Sequence, residues 1–214
     1  ASASKKLMAA IAVLAVAFVV FAAIPAVDAT DGEVKDAVAA TSVGTEADLK
    51  SAIVEGFNVV LKDNIKLTTP LVIKVTGVID LASYTLSSDS YVLDIYNPAT
   101  VTVKASGDGK IIGSPKASGA TVYVQGANED DVGTFILDSG SIISTQYGIV
   151  PFAYGAVEVR GGTVTASLSA ISGNGSETGI NKGTGAKVTI SGGVLTSTET
   201  AGVYFPNSTR MDIT

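Results

Sequence analysis

A short apolar segment recurs along the chain at nearly constant intervals, and this repeat constrains the fold more than any other feature. Four segments align, each alternating apolar with polar residues: FILDSGSII (135–143), VEVRGGTVT (157–165), VTISGGVLT (188–196) and MDIT (211–214). The equivalent residues, spaced by 22, 31 and 23 positions, are Leu137, Val159, Ile190 and Ile213. A period of about this length predicts stacked coils.

Towards the N-terminus, the same position is held by Val103, Leu81 and Leu61. Val103 lies 34 residues before Leu137, Leu81 lies 22 before Val103, and Leu61 lies 20 before Leu81. The period is therefore 20 to 23 residues, and the two long intervals contain the polar stretches 126–133 and 173–185. Because these insertions leave the period intact, we expect them to be loops outside the stack.

The repeated segments are short and rich in Val, Ile, Thr and Tyr, which predicts strands rather than helices. Alternate residues of a strand share a face, so stacked coils bring apolar side chains into inward rows. The predicted pairs in these rows are Phe135 with Leu137, Val157 with Val159, Val188 with Ile190, and Met211 with Ile213. Gly-Gly at 161–162 and 192–193, and Ser-Gly at 139–140, are predicted corners because glycine adopts positive φ cheaply. The pattern predicts an all-β parallel solenoid over residues 57–214.

One amphipathic helix is predicted before the strands, over residues 45–56. Thr45 is a typical N-cap, Asp48 follows three residues later, and Leu49, Ala52 and Ile53 share one face before Gly56 ends the helix. With this helix and the coils together, residues 45–214 resemble the right-handed parallel β-helix proteins of the pectate-lyase-like superfamily, particularly secreted adhesin-like members. The resemblance implies that the helix caps the first coil, and it implies little about activity because this fold hosts many chemistries.

The N-terminus indicates export. Lys5 and Lys6 precede an apolar run, Pro25 interrupts it, and AVDA ends at residue 29 with small residues where a signal peptidase cuts. Residues 1–29 are therefore either a cleaved export signal or a retained hydrophobic helix. We expect retention, with residues 7–26 able to contact a membrane or to pack in an assembly. Residues 30–44 are small and polar, which is typical of a tether; the predicted assembly contacts of the helix are Leu14, Phe18 and Phe21.

Composition excludes several chemistries. The chain has no Cys and no His, so disulfides, thiolate catalysis, imidazole acid–base catalysis and His- or Cys-ligated metals are excluded. Its net charge is −6, and without residues 1–29 it is −7. An acidic protein repels phosphate backbones, so we expect no nucleic-acid partner.

No residue set predicts a catalytic, cofactor or metal site. The resemblance implies that enzymes of this fold use clustered Asp residues with Arg or Lys, or a Gly-His-Gly motif that this chain cannot form. Glu129, Asp130 and Asp131 are adjacent, and adjacent loop carboxylates usually point apart, which favours a solvated insertion over a weak Ca²⁺ site. Glu158 and Arg160 lie outward on one strand, with Arg160 one coil from Asp138; this favours an ion pair over a catalytic Arg.

Three tyrosines, Tyr147, Tyr154 and Tyr204, are either ordinary strand residues or a surface that stacks on sugar rings. Asn174 in NGS and Asn207 in NST fit the N-glycosylation pattern, although such tripeptides also arise by chance. These features suit a secreted or cell-surface protein in contact with glycans.

The end of the sequence in mid-repeat predicts an exposed rung that includes Met211 and Ile213, and solenoids normally cover such a rung. Either more coils follow it or another copy docks there, as in a head-to-tail homo-oligomer. The sequence thus predicts a non-enzymatic extracellular structural or adhesive subunit of a filament or layer. The alternative is a β-helix protein that binds or cleaves polysaccharides.

Overall fold

The computed structural model describes residues 38–173 and 186–205, and the backbone of residues 210–213. The predicted N-terminal helix with Leu14, Phe18 and Phe21 lies outside these residues, as do Asn174 and Asn207. In the described part of the chain, no helix has the length and apolar character that a membrane span requires.

The described elements are almost all short strands. In chain order they are β1 (Thr41–Val43), α1 (Glu46–Ala52), β2 (Phe57–Leu61), β3 (Ile65–Leu67), β4 (Leu71–Ile73), β5 (Gly77–Asp80), β6 (Thr85–Ser88), β7 (Leu93–Ile95), β8 (Thr100–Lys104), β9 (Lys110–Gly113), β10 (Ala120–Asn128), β11 (Asp131–Val132), β12 (Thr134–Leu137), β13 (Ser141–Ser144), β14 (Tyr147–Ala153), β15 (Ala156–Val159), β16 (Thr163–Ala166), β17 (Ile171–Ser172), β18 (Lys187–Ile190), β19 (Val194–Ser197), β20 (Val203–Tyr204) and β21 (Arg210–Ile213).

Successive strands along the chain belong in turn to the first, second and third of three parallel sheets. Across the described ranges, the first sheet has the order β1-β2-β5-β8-β12-β15-β18-β21, the second β19-β16-β13-β9-β6-β3, and the third β20-β17-β14-β10-β7-β4. Each coil therefore contributes one strand to each sheet. Parallel strands in stacked sheets fit a β-helix, which confirms the predicted all-β solenoid at this level. Its right-handed sense stays a prediction.

The core is an aliphatic column between the three sheets. Strand residues alternate between buried and more exposed positions, as in β2, where Phe57, Val59 and Leu61 are buried. Coil after coil repeats this alternation in register, so that Val103, Leu137 and Val159 form one continuous inward row. β-branched and aliphatic side chains suit this arrangement because they pack tightly on a pleated surface.

The predicted alignment is displaced by two residues at one step, between β5 and β8. Val103 pairs with Ile79 rather than with Leu81. The predicted offset of 20 residues between Leu61 and Leu81 is confirmed, because Val59 pairs with Ile79 at the same offset. Leu81 and Leu61 are also fully or almost fully buried. A shift of two residues keeps the same side of the strand inward, so the hydrophobic pattern alone could not distinguish the two registers.

The N-terminal end differs in detail from the predicted boundaries. Helix α1 begins after Thr45, whose Oγ1 accepts a hydrogen bond from Asp48 N at 3.1 Å, and it ends at Ala52, before Gly56. Leu49 is fully buried and belongs to the core cluster. Strand β1 lies within residues 30–44, for which the sequence indicates a tether, and it pairs in parallel with β2.

Glycines turn one corner of the coil, as predicted. Gly140, Gly162 and Gly193 follow β12, β15 and β18 with φ of 90°, 75° and 87°. A Cβ at Gly162 would lie 2.4 Å from Gly140 O on the preceding coil. Glycine is thus required both by the backbone conformation and by the close stacking of the corners.

Candidate binding face on the third sheet

The outer side of the third sheet carries most of the described aromatic side chains that point away from the core. Tyr96 is 36% exposed, Phe152 41% and Tyr204 50%. Tyr123 is a half-buried outward residue of β10. Single exposed apolar residues are ordinary, whereas contiguous apolar patches mark binding sites, so this side of the sheet is the candidate binding surface.

Two outward rows cross this sheet, perpendicular to the strands. By strand register, the first row holds Val72, Asp94, Tyr123, Val150, Ser172 and Tyr204. The second row lies two residues further along each strand and holds Lys74, Tyr96, Gln125 and Phe152. Neighbouring strands are about 4.8 Å apart, so two strands separate Tyr96 from Phe152 by roughly 10 Å.

Asp94 and Tyr123 of the first row lie next to Tyr96 and Gln125 of the second row. With Tyr91 these residues form what we call the Asp94 cluster: Tyr91, Asp94, Tyr96, Tyr123 and Gln125. Gln125 Nε2 donates a hydrogen bond to Asp94 Oδ1 at 2.9 Å, although Asp94 is only 8% exposed. The rings of Tyr91 and Tyr123 meet edge to face, with centroids 5.4 Å apart. The Tyr123 hydroxyl in turn accepts a hydrogen bond from Ala120 N at 3.1 Å. These contacts hold the carboxylate in a defined place on the sheet.

The Asp94 carboxylate changes the pKa of the neighbouring Tyr96. The negative charge of Asp94 raises the pKa of the Tyr96 phenol, and partial burial and a hydrogen bond to Asp94 act in the same direction. On the other side, Lys74 Nζ lies 5.3 Å from the centroid of the Tyr96 ring. Tyr96 thus contacts a carboxylate through its hydroxyl and an ammonium through its ring face.

The three tyrosines singled out in the sequence all belong to this sheet or its edge. Tyr204 is an exposed outward residue of β20, whereas Tyr147 begins β14 and Tyr154 follows it, both half-buried. The Asp94 cluster was missed by sequence reasoning. The segment YVLDIY contained its signal, because strand alternation places Asp94 and Tyr96 together on the outer side.

The predicted ion pair at Arg160 is present. Its Nε and Nη2 donate to the two carboxylate oxygens of Glu158 at 2.8 and 2.9 Å, and its Nη1 lies 3.4 Å from Asp138 Oδ1. The bidentate contact lowers the pKa of Glu158. The hydrogen-bond donors of the Arg160 guanidinium are therefore paired with carboxylates on the surface of the first sheet.

One coil before Asp138, and two coils before Arg160, the same corner holds Lys104, whose Nζ lies 4.0 Å from Asp80 Oδ2. Opposite charges therefore alternate along this corner from coil to coil. Such partly exposed pairs each contribute about 0.5 kcal/mol to the free energy of unfolding.

The acidic insertion takes a more ordered form than the predicted loop. Strand β10 continues into it and pairs with β11 as an antiparallel hairpin. Glu129 and Asp130 are exposed at its turn, and Asp131 Oδ2 accepts a hydrogen bond from Asn97 Nδ2 at 2.6 Å. Among the residues that the structure describes, no three acidic side chains lie close enough together to hold a metal ion.

Comparisons with known proteins give no relative for this chain. No protein-family model matches it, and neither a curated protein nor a solved structure matches it. The stacked parallel sheets are compatible with a β-helix, and membership of the pectate-lyase-like superfamily stays a prediction.

Proposed function

We propose that this chain is a non-enzymatic extracellular protein, a structural and adhesive subunit of a cell-surface filament or layer. The constant register of the first sheet supports the proposal, because every coil presents the same inward row and the same backbone edge to the next. A rung of this kind pairs with a further strand through the same hydrogen bonds, whether that strand belongs to one chain or to another copy.

Stacking of copies would use the rung that contains β21, where Met211 and Ile213 would meet another subunit. The hydrophobic segment 7–26 would anchor the subunit in a membrane or pack with its copies through Leu14, Phe18 and Phe21. Export through residues 1–29 and glycans on Asn174 and Asn207 belong to the same proposal. Head-to-tail contacts of this type propagate into filaments when they do not close into rings.

Electron microscopy of the purified full-length chain tests the proposal. We expect filaments or sheets from the unaltered chain and dispersed particles from Ile213→Asp, because a charge in the apolar row cannot be buried against another copy. Thr165→Asp, on the outer side of β16, is the matched control and should still assemble. Dispersed particles from the unaltered chain, or filaments from Ile213→Asp with unchanged thermal unfolding, would contradict stacking through this rung.

A second function, polysaccharide binding with or without cleavage, is favoured by the aromatic side chains of the third sheet. The side chains of Phe152 and Tyr204 are exposed on the outer side of this sheet, where a sugar ring could pack against them. Co-sedimentation with insoluble cell-wall polysaccharides tests it. Phe152→Ala with Tyr204→Ala should reduce the bound fraction, whereas Ile143→Ala, an equally exposed apolar side chain on the second sheet, should leave it unchanged. Equal binding by all variants would refute this function.

A further inference from the structure

The Asp94 carboxylate is buried without a cationic partner. Asp94 is 8% exposed, and its carboxylate accepts hydrogen bonds from two neutral groups, the Gln125 amide at 2.9 Å and the Tyr96 hydroxyl. The ion pairs among the described residues involve other carboxylates: Glu46, Asp80, Asp89, Asp138 and Glu158. Buried charges in proteins are usually paired, so an unpaired carboxylate at a binding face is suited to a cation from outside.

The aromatic surroundings of Asp94 also favour a cation. Tyr96 and Tyr123 lie next to the carboxylate, with Tyr91 packed edge to face against Tyr123, and the face of an aromatic ring attracts an ammonium group. This chain already provides one example, since the Lys74 ammonium lies 5.3 Å from the Tyr96 ring centroid. Further acidic residues follow directly on β10, where the hairpin exposes Glu129 and Asp130. These carboxylates add negative charge to this part of the sheet.

The size of the surface indicates an extended ligand. Phe152 lies two strands and Tyr204 four strands from the strand of Asp94, which corresponds to roughly 10 and 19 Å along the stack. A ligand that contacts all three must run across the strands. An oligomer of sugar rings that bears amino groups has both the length and the two kinds of chemistry required.

We propose that the third sheet binds a glycan carrying protonated amino groups, with Asp94 accepting an ammonium and Phe152 and Tyr204 packing against sugar rings. This inference rests on the polysaccharide-binding function and specifies its ligand class. Acidic uronic-acid polymers are disfavoured, because Asp94 would repel their carboxylates at a short distance and with little screening.

Isothermal titration calorimetry of the full chain with three hexasaccharides tests the inference: hexaglucosamine, hexa-N-acetylglucosamine and hexagalacturonate. Hexaglucosamine should bind tightest. Asp94→Asn keeps the side-chain shape and should weaken hexaglucosamine binding about tenfold or more, as expected for loss of a charge-assisted hydrogen bond. Asp89→Asn removes an equal charge from an exposed residue and should change the affinity less than about twofold, since exposed charges contribute little. The acetylated hexamer should be insensitive to Asp94→Asn.

A second variant keeps the test decisive if Asp94→Asn does not fold, as judged by thermal unfolding. Lys74→Gln removes the native ammonium from the Tyr96 ring at an exposed position, and it should tighten hexaglucosamine binding. Hexagalacturonate binding that equals or exceeds hexaglucosamine binding would overturn the inference but leave polysaccharide binding intact. Failure of all three hexasaccharides to bind would overturn the inference, and it would refute polysaccharide binding as well only if the co-sedimentation also fails. Tighter, Asp94-dependent binding of a lysine-rich peptide would replace the glycan with a protein partner and so overturn the inference.

Discussion

Individual side chains on the outer side of the third sheet are coupled by charge. Asp94 and Tyr96 are two residues apart on or beside β7 and face the same way, so the carboxylate lies next to the phenol. Negative charge disfavours the phenolate, which is why the pKa of Tyr96 is raised above its ordinary value of 10.0.

Asp94→Asn should therefore lower the pKa of Tyr96 towards 10.0. The measurement is the tyrosinate absorbance between pH 9 and 12, with Tyr96→Phe subtracted to isolate this residue. Asp89→Asn, which removes a distant exposed charge, should leave the titration unchanged. A Tyr96 titration that is identical with and without the Asp94 charge would show that the two groups are not coupled.

Glu46 is the residue that joins α1 to the first coil. Its carboxylate accepts hydrogen bonds from Lys50 Nζ at 2.6 Å and from Thr68 N at 3.0 Å. The contact with Lys50, followed by those with Thr68 and Thr69, lowers the pKa of Glu46 to about 2 from an ordinary value of 4.5.

The lowered pKa predicts a pH dependence of stability. A carboxylate whose pKa is lower in the folded state stabilises the fold above pH 4.5, and this contribution is lost as the pH falls towards 2. The unaltered chain should thus have a higher thermal midpoint than Glu46→Gln at pH 7, and the difference should shrink between pH 4.5 and 2. A difference that is constant over this range would contradict the predicted linkage.

At the scale of elements, the corners after the first-sheet strands β12, β15 and β18 depend on glycine. Gly140, Gly162 and Gly193 share positive φ and stack directly on one another. These three corners therefore share one backbone conformation and leave no room for a side chain between coils.

Gly162→Ala should lower the free energy of unfolding by at least about 1–2 kcal/mol, because the left-handed conformation is costly with a Cβ. The contact of this Cβ with Gly140 O would add to the loss. Chemical denaturation measures the change. Gly202→Ala is the control, since its Cβ would meet its nearest neighbour at 3.3 Å and its φ is not positive. Equal effects of the two substitutions would argue against a special role for the corner.

At the scale of the whole molecule, the described coils form one column in which each coil contacts its neighbours. Helix α1 contributes the buried Leu49 to this column and packs against β1, β2 and β3. In a stack of repeats, a terminal element covers apolar surface that an interior coil would otherwise bury.

Leu49→Ala should accordingly lower the free energy of unfolding by about 2–5 kcal/mol and increase self-association, because it opens the end of the column. Denaturant unfolding and analytical ultracentrifugation measure the two effects. Ser51→Ala, an exposed position on the same helix, should alter neither. Full stability of Leu49→Ala would mean that α1 does not act as a cap.

Much of the fold follows from local patterns. The period of the coils, the inward pairs such as Val157 with Val159, the glycine corners and the N-cap Thr45 were predictable because alternation, positive φ and capping are properties of short segments. The ion pair of Arg160 with Glu158 and Asp138 followed from the same alternation and period.

The sequence by itself determined that the chain forms parallel coils with an apolar interior, since that outcome depends on residue order within each segment. Only the tertiary structure decided the pairing of Ile79 with Val103, the strand β1, the hairpin β10–β11 and the Asp94 cluster. Each of these depends on which residues from different coils become neighbours. A shift of two residues leaves every side chain on the same face, so the choice is made by packing between coils and by hydrogen bonds that no single segment encodes.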